Sequence, residues 1–145
     1  MKREHVRAIA HELFADLARG DIQSFGAKLD ENIDWIFHAP MAVFPFAGAR
    51  RGRDAVLASM LELNRGFKVE SQVLETVIAD EQASAMVSDV SLTQRATGRT
   101  IRVHVAHMQR YRNGKLTTYR GFTDSFDAVE QVLGRWLDLN NPSRA

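Results

Sequence analysis

The chain has 145 residues, 19 Lys plus Arg against 18 Asp plus Glu, and no cysteine. That length fits one domain, able to bury a core and still leave room for a pocket. A formal net charge of +1 carries no footprint for nucleic acid or an anionic membrane, and the missing cysteines exclude disulfides, thiol nucleophiles and thiolate metal sites and suit a reducing, cytoplasmic setting.

Glu4, Arg7 and Glu12 interrupt the opening residues, so they read neither as a signal peptide nor as a membrane span. Residues 2–19 read as a helix, because Val6, Ile9, Ala10, Leu13, Phe14 and Leu17 recur at helical spacing and make one apolar stripe. Gly20 stops it, and Asp21 can cap a short second helix from Ile22 to Leu29. Residues 33–38 read as a strand. The Pro/Gly-punctuated stretch 39–52 reads as a long loop, a candidate lid or rim. Residues 53–65 read as a helix ended by Gly66.

Four β-like runs follow, at about 68–79, 83–95, 99–111 and 115–123, separated by Asp80-Glu81, Thr97-Gly98 and Asn113-Gly114. All three breaks are turn chemistry suited to antiparallel hairpins. A last helix is expected over about 125–139, capped by Asp124, with Phe126, Val129, Leu133, Trp136 and Leu137 as its apolar face. This order predicts an α+β domain over residues 1–145, with helices on one face of a curved antiparallel sheet and a cone whose open end is a pocket.

Strand alternation assigns the pocket walls. Met86, Ser88, Val90 and Leu92 share one face of their strand, Val103 and Val105 share one face of the next, and His107 continues that row. His104 falls on the opposite face. An H-x-x-H pair converges on a helix but not on a strand, so no metal site is expected here. His107 is then either a buried histidine satisfied by its neighbours or a ring nitrogen lining the pocket as base or donor. Trp35 and Phe37 share a face, as core or as pocket walls. Arg50, Arg51 and Arg53 read as solvated surface or as a clamp on a ligand anion.

The Gly20-Asp21 break, LDENIDWIF (29–37), RGRDAVLASMLEL (51–63), Thr97-Gly98-Arg99 and RNGKLTTYRGFTD (112–124) together resemble the SnoaL-like branch of the NTF2-like superfamily, which contains ketosteroid isomerases, polyketide cyclases and limonene-epoxide hydrolases. The resemblance covers about residues 5–128 and implies the cone fold, a small hydrophobic ligand and a homodimer through the outer sheet face. The catalytic sets of two branches are not retained. Positions matching the epoxide hydrolase Asp-Arg-Asp set are Ser88, Val90 and Gly121, and its water-orienting Tyr and Asn match Trp35 and Phe37. Positions matching the steroid isomerase base and tyrosine are Phe37 and Leu13, and its late-strand acid falls near His107. Scytalone dehydratase relatives use histidines with an Asp and tyrosines, so Asp16 or Asp34 could orient His107.

The expected site therefore has His107 and Tyr119 as catalytic candidates and Trp35, Phe37, Met86, Ser88, Val90, Leu92, Val103 and Val105 as ligand walls. Whether Tyr119 faces the cone depends on the Asn113-Gly114 turn. A two-residue turn pairs His107 with Arg120; a three-residue turn with a glycine bulge pairs it with Tyr119 and turns Tyr119 inward. The resemblance favours the second. The sequence holds no cofactor motif. Two functions fit: an isomerase, cyclase or lyase working by proton transfer through His107, or a non-catalytic module binding a small molecule or a protein.

Overall fold

The computed structural model describes residues 1–140. The expected single domain, 1–145, includes residues 141–145, which lie outside the described residues. Helix α1 (Arg3–Ala18) buries Val6, Ile9, Ala10, Leu13 and Phe14, the apolar stripe of the sequence. Short α2 (Ile22–Ala27) starts at Asp21, whose carboxylate accepts the Ser24 amide at 3.0 Å. Buried Asp16 ties the two helices together: Lys28 Nζ donates to it at 2.5 Å, and Arg19 donates to its other oxygen.

Strands β1 (Leu29–His38), β2 (Gly48–Arg51), β3 (Phe67–Ala79), β4 (Ala83–Gln94), β5 (Thr100–Arg112) and β6 (Lys115–Thr123) form one sheet in the order β2-β1-β6-β5-β4-β3. The sheet is mixed rather than wholly antiparallel, because β1 runs parallel to β6. Three hairpin reversals from β3 return β6 in the direction of β1. Register shifts in β3, in β1 and in the β5–β6 pair supply bulges, which raise local twist and curl a sheet. Helix α3 (Arg53–Gly66) packs against β1 and β3.

The 39–52 stretch is not a free lid. Its end is β2, paired with Asp34 to Phe37, and Phe44 and Phe46 fold inward against Phe37 and Phe67. Of the arginines that follow, Arg50 and Arg53 brace backbone, and Arg51 is exposed beside Asp34. Arg50 donates to the carbonyls of Pro45 and Ala49, and Arg53 donates to that of Leu29 at 3.0 and 3.2 Å.

Neither expected β5–β6 register is observed. Asn113 (φ 52) and Gly114 (φ 77) make a two-residue turn pairing Arg112 with Lys115, the type I′ geometry such dipeptides favour. A bulge then shifts the ladder between Arg110 and Tyr111, so His107 pairs with Gly121 and Gln109 with Tyr119. Tyr119 therefore faces inward, but because of a bulge within the strand and not one at the turn.

The last helix is shorter than expected. Helix α4 (Ser125–Leu133), capped by Asp124, ends where Gly134 takes the left-handed conformation (φ 69). Ala128 and Val132 reach the core, whereas Phe126 and Trp136 are 45% and 83% exposed. Gln131 anchors α4 to the sheet: its amide oxygen accepts from Arg102 N and its amide nitrogen donates to Arg102 O, each at 2.8 Å.

Candidate active site in the cone

Between the sheet and helices α1 to α3 lies an apolar cavity of about 140 Å³. That is close to the ~150 Å³ of a void that takes up one benzene and below the roughly 300–1,000 Å³ of pockets for drug-sized ligands. Among the described residues, no Asp, Glu, Lys or Arg lines it.

Of the walls expected from strand alternation, Trp35, Phe37, Val90, Leu92, Val103 and Val105 line the cavity, together with His107 and Tyr119. Met86 and Ser88 do not. Met86 shares the inner face but packs under α1 with Ala10 and Phe14, and Ser88 is fully buried beside His107. Alternation fixes which face a side chain takes, not how far along the cone it sits. Sequence reasoning missed Phe14, Phe44, Phe46, Met60 and Gln109 as lining residues. Phe14 was visible in the helical stripe, but aromatics in an irregular segment carry no periodic signal.

His107 is 7% exposed and has both ring nitrogens engaged. Nδ1 lies 2.7 Å from the Tyr119 hydroxyl and Nε2 lies 2.9 Å from Ser88 Oγ. Phe14 meets the imidazole edge-on at 4.8 Å. Burial among these groups lowers the histidine pKa to about 4, because the imidazolium cannot be solvated there. The ring is therefore neutral at pH 7, with one N–H donor and one lone pair. The same desolvation raises the Tyr119 phenol above its ordinary value.

Counting protons orients this chain. If Nε2–H donated to Ser88, the serine's own proton would be stranded in a fully buried site with no second partner among the described residues. If Ser88 donates to Nε2, then Nδ1–H donates to the Tyr119 oxygen. The proton left over is that of Tyr119, a residue on the cavity wall. Either direction leaves one hydroxyl proton over, and stranding a buried donor costs about 1–3 kcal/mol. Tyr119 lines the cavity and Ser88 does not, which favours the direction Ser88 to His107 to Tyr119, where the spare donor can meet a ligand. Tyr119 also stacks on Trp35, ring centres 3.8 Å apart.

A His107–carboxylate dyad is not formed. Asp16 is held by Lys28 and Arg19. Asp34 accepts from Arg120 at 2.9 Å and lies 3.6 Å from Arg51, and the Arg120 hydrogen bond holds its pKa below the usual carboxylate value. His104 lies on the outer face, 3.0 Å from Glu75. It groups there with Glu75 and Asp89, but Arg102 Nε already donates to Asp89 at 2.9 Å, and the intervening sheet separates this cluster from His107.

The SnoaL-like domain family matches residues 10–119. The chain belongs to the SnoaL-like family. A search of curated protein sequences finds no match. Among solved structures, the "Putative Isomerase" from Rhodopseudomonas palustris is 32% identical, with a TM-score of 0.82 over 93% of this chain and 100% of that one. An NTF2-like protein from Burkholderia xenovorans LB400 is 22% identical, with a TM-score of 0.80 over 91% of this chain and 98% of that one. An LEH-like epoxide hydrolase of M. tuberculosis is 13% identical, with a TM-score of 0.75 over 91% and 92%. The last two show the fold alone. This SnoaL-like chain is thus an α+β cone of the NTF2-like type, and no helix among its described residues is long and apolar enough to cross a membrane.

Proposed function

We propose that the SnoaL-like cone binds a small, mainly apolar molecule bearing an oxygen function, and that Tyr119, backed by His107, hydrogen-bonds or protonates that oxygen. The observation carrying this reading is the Ser88–His107–Tyr119 hydrogen-bond chain, which ends on a tyrosine lining a mainly apolar cavity. A donor aimed at a carbonyl oxygen stabilises negative charge building there, a requirement shared by isomerase, cyclase and lyase steps beside a carbonyl. The 32% identical relative, named a "Putative Isomerase", supports that class. Trp35, Phe37, Val90, Leu92, Val103 and Val105 would grip the apolar part of the ligand.

A second reading is a non-catalytic binding module. It is favoured by one specific observation: both His107 nitrogens are engaged and, among the described residues, no carboxylate lines the cavity, so none of them offers a ligand a free base. A panel of single-ring ketones and phenols separates the two. Binding is read by thermal shift, and chemistry by hydrogen–deuterium exchange beside the carbonyl. Exchange that His107→Ala abolishes supports catalysis. Exchange undiminished in that variant removes His107 from the mechanism, and binding without exchange selects the module.

The outer face exposes Met108 and Phe122 at 52% and 45%, and a homodimer through this face, in the cytoplasm, completes the proposal. Sedimentation should then give a dimer that Met108→Lys and Phe122→Lys convert to monomer; a wild-type monomer would remove this part.

A further inference from the structure

The Trp35 indole N–H is a buried donor with no hydrogen-bond partner, the one such side-chain atom among the described residues. Native folds leave few buried polar groups unpaired, and each one calls for a reason. Trp35 is held firmly. Its backbone pairs with that of Tyr119 across the parallel β1–β6 ladder, its ring stacks on the Tyr119 ring at 3.8 Å, and Phe25 meets it edge-on. It also lines the cavity. The orphan donor and the Tyr119 hydroxyl therefore belong to two stacked rings that both line the cavity of about 140 Å³, a volume that takes roughly one ring.

We propose that Trp35 is a specificity-determining residue whose indole N–H is reserved for the ligand. A single-ring carbonyl compound would place its oxygen against the Trp35–Tyr119 stack and accept from both residues, one hydrogen bond to each lone pair. This inference rests on the cone being a ligand site and adds the class of ligand. The wall would discriminate against a hydrocarbon of the same shape, since a site built to hydrogen-bond an oxygen disfavours an analogue that lacks it.

The test uses the full 15N-labelled chain with two probes of one shape, cyclohexanone and methylenecyclohexane. The chain has two tryptophans, and Trp136, 83% exposed, is an internal control for the indole resonances. Cyclohexanone should move the Trp35 indole proton downfield, together with the His107 ring signals, and leave Trp136 in place. Methylenecyclohexane should not shift Trp35 downfield. Trp35→Phe should weaken cyclohexanone binding about tenfold and change methylenecyclohexane binding by less than about twofold. The wild-type resonances report on the proposal even if that variant folds poorly. Cyclohexanone that perturbs His107 but leaves the Trp35 proton unmoved, or both probes shifting it alike, overturns this inference and leaves the cavity reading standing. If neither probe perturbs any cavity residue, both fall.

Discussion

Gly121 lies opposite His107 across the β5–β6 pair, and its missing side chain gives Tyr119 its place. A Cβ at Gly121 would overlap the Tyr119 hydroxyl and stand 2.8 Å from Phe37 Cδ1. No positive φ forces glycine there; close packing does. Gly121→Ala should destabilise the fold by about 1–3 kcal/mol, the usual cost of overpacking a core, and push Tyr119 off His107. Urea denaturation reads the first effect and the His107 ring resonances the second. A variant as stable as wild type with an unmoved His107 would contradict this account.

Acid should expose the buried imidazole. His107 takes up a proton near pH 6.5 in the unfolded chain and near pH 4 in the fold. Its folded value is the lower one, so the unfolded state binds more protons between these limits. Stability is full above about pH 6.5, falls as the pH drops towards 4, and loses nothing more from this group below that. The gap corresponds to roughly 3 kcal/mol. Urea midpoints measured through this window should slope downward for wild type and run flatter for His107→Gln. Parallel profiles would show that the histidine is not held neutral.

Ser88→Ala should leave the Nε2 lone pair buried and unmet, at a cost of about 1–3 kcal/mol. It should also loosen the preference for protonated Nδ1, which long-range nitrogen–proton spectra of the imidazole report directly. A wild-type proton found on Nε2 would reverse the proposed direction of the hydrogen-bond chain, and a tautomer population unchanged in the variant would show that Ser88 does not set it.

Asp16→Ala separates structure from site. The substitution removes the partner of Lys28 and Arg19 at the α1–α2 junction and should lower stability by about 1–3 kcal/mol, while the His107 resonances stay where they are. A displaced His107 signal would bring back the carboxylate dyad that the geometry argues against.

Periodicity made the inner rows legible. The alternation through Val103, Val105 and His107 needs only the two-residue repeat of a strand, and β5 keeps it without interruption. Tyr119 was less accessible, because its facing depends on a bulge at Thr117 that no turn residue announces. The parallel pairing of β1 with β6 is a property of the whole path and leaves no local trace. In α4, helical spacing carried the expectation on to Trp136 and Leu137, yet Gly134, a standard stop, ends the helix at Leu133. The apolar residues beyond it look periodic only if that glycine is ignored.

The Gln131 carboxamide donates and accepts at Arg102 as a neighbouring peptide group would. It does so where β6 has already ended, its pairing with β5 reaching only Val105. Without it, the start of β5 would present an unclaimed donor and acceptor, the template on which a strand from another chain can add. One glutamine side chain thus claims the backbone donor and acceptor that β6 leaves open at the start of β5, so α4 covers a sheet edge as well as adding Ala128 and Val132 to the core.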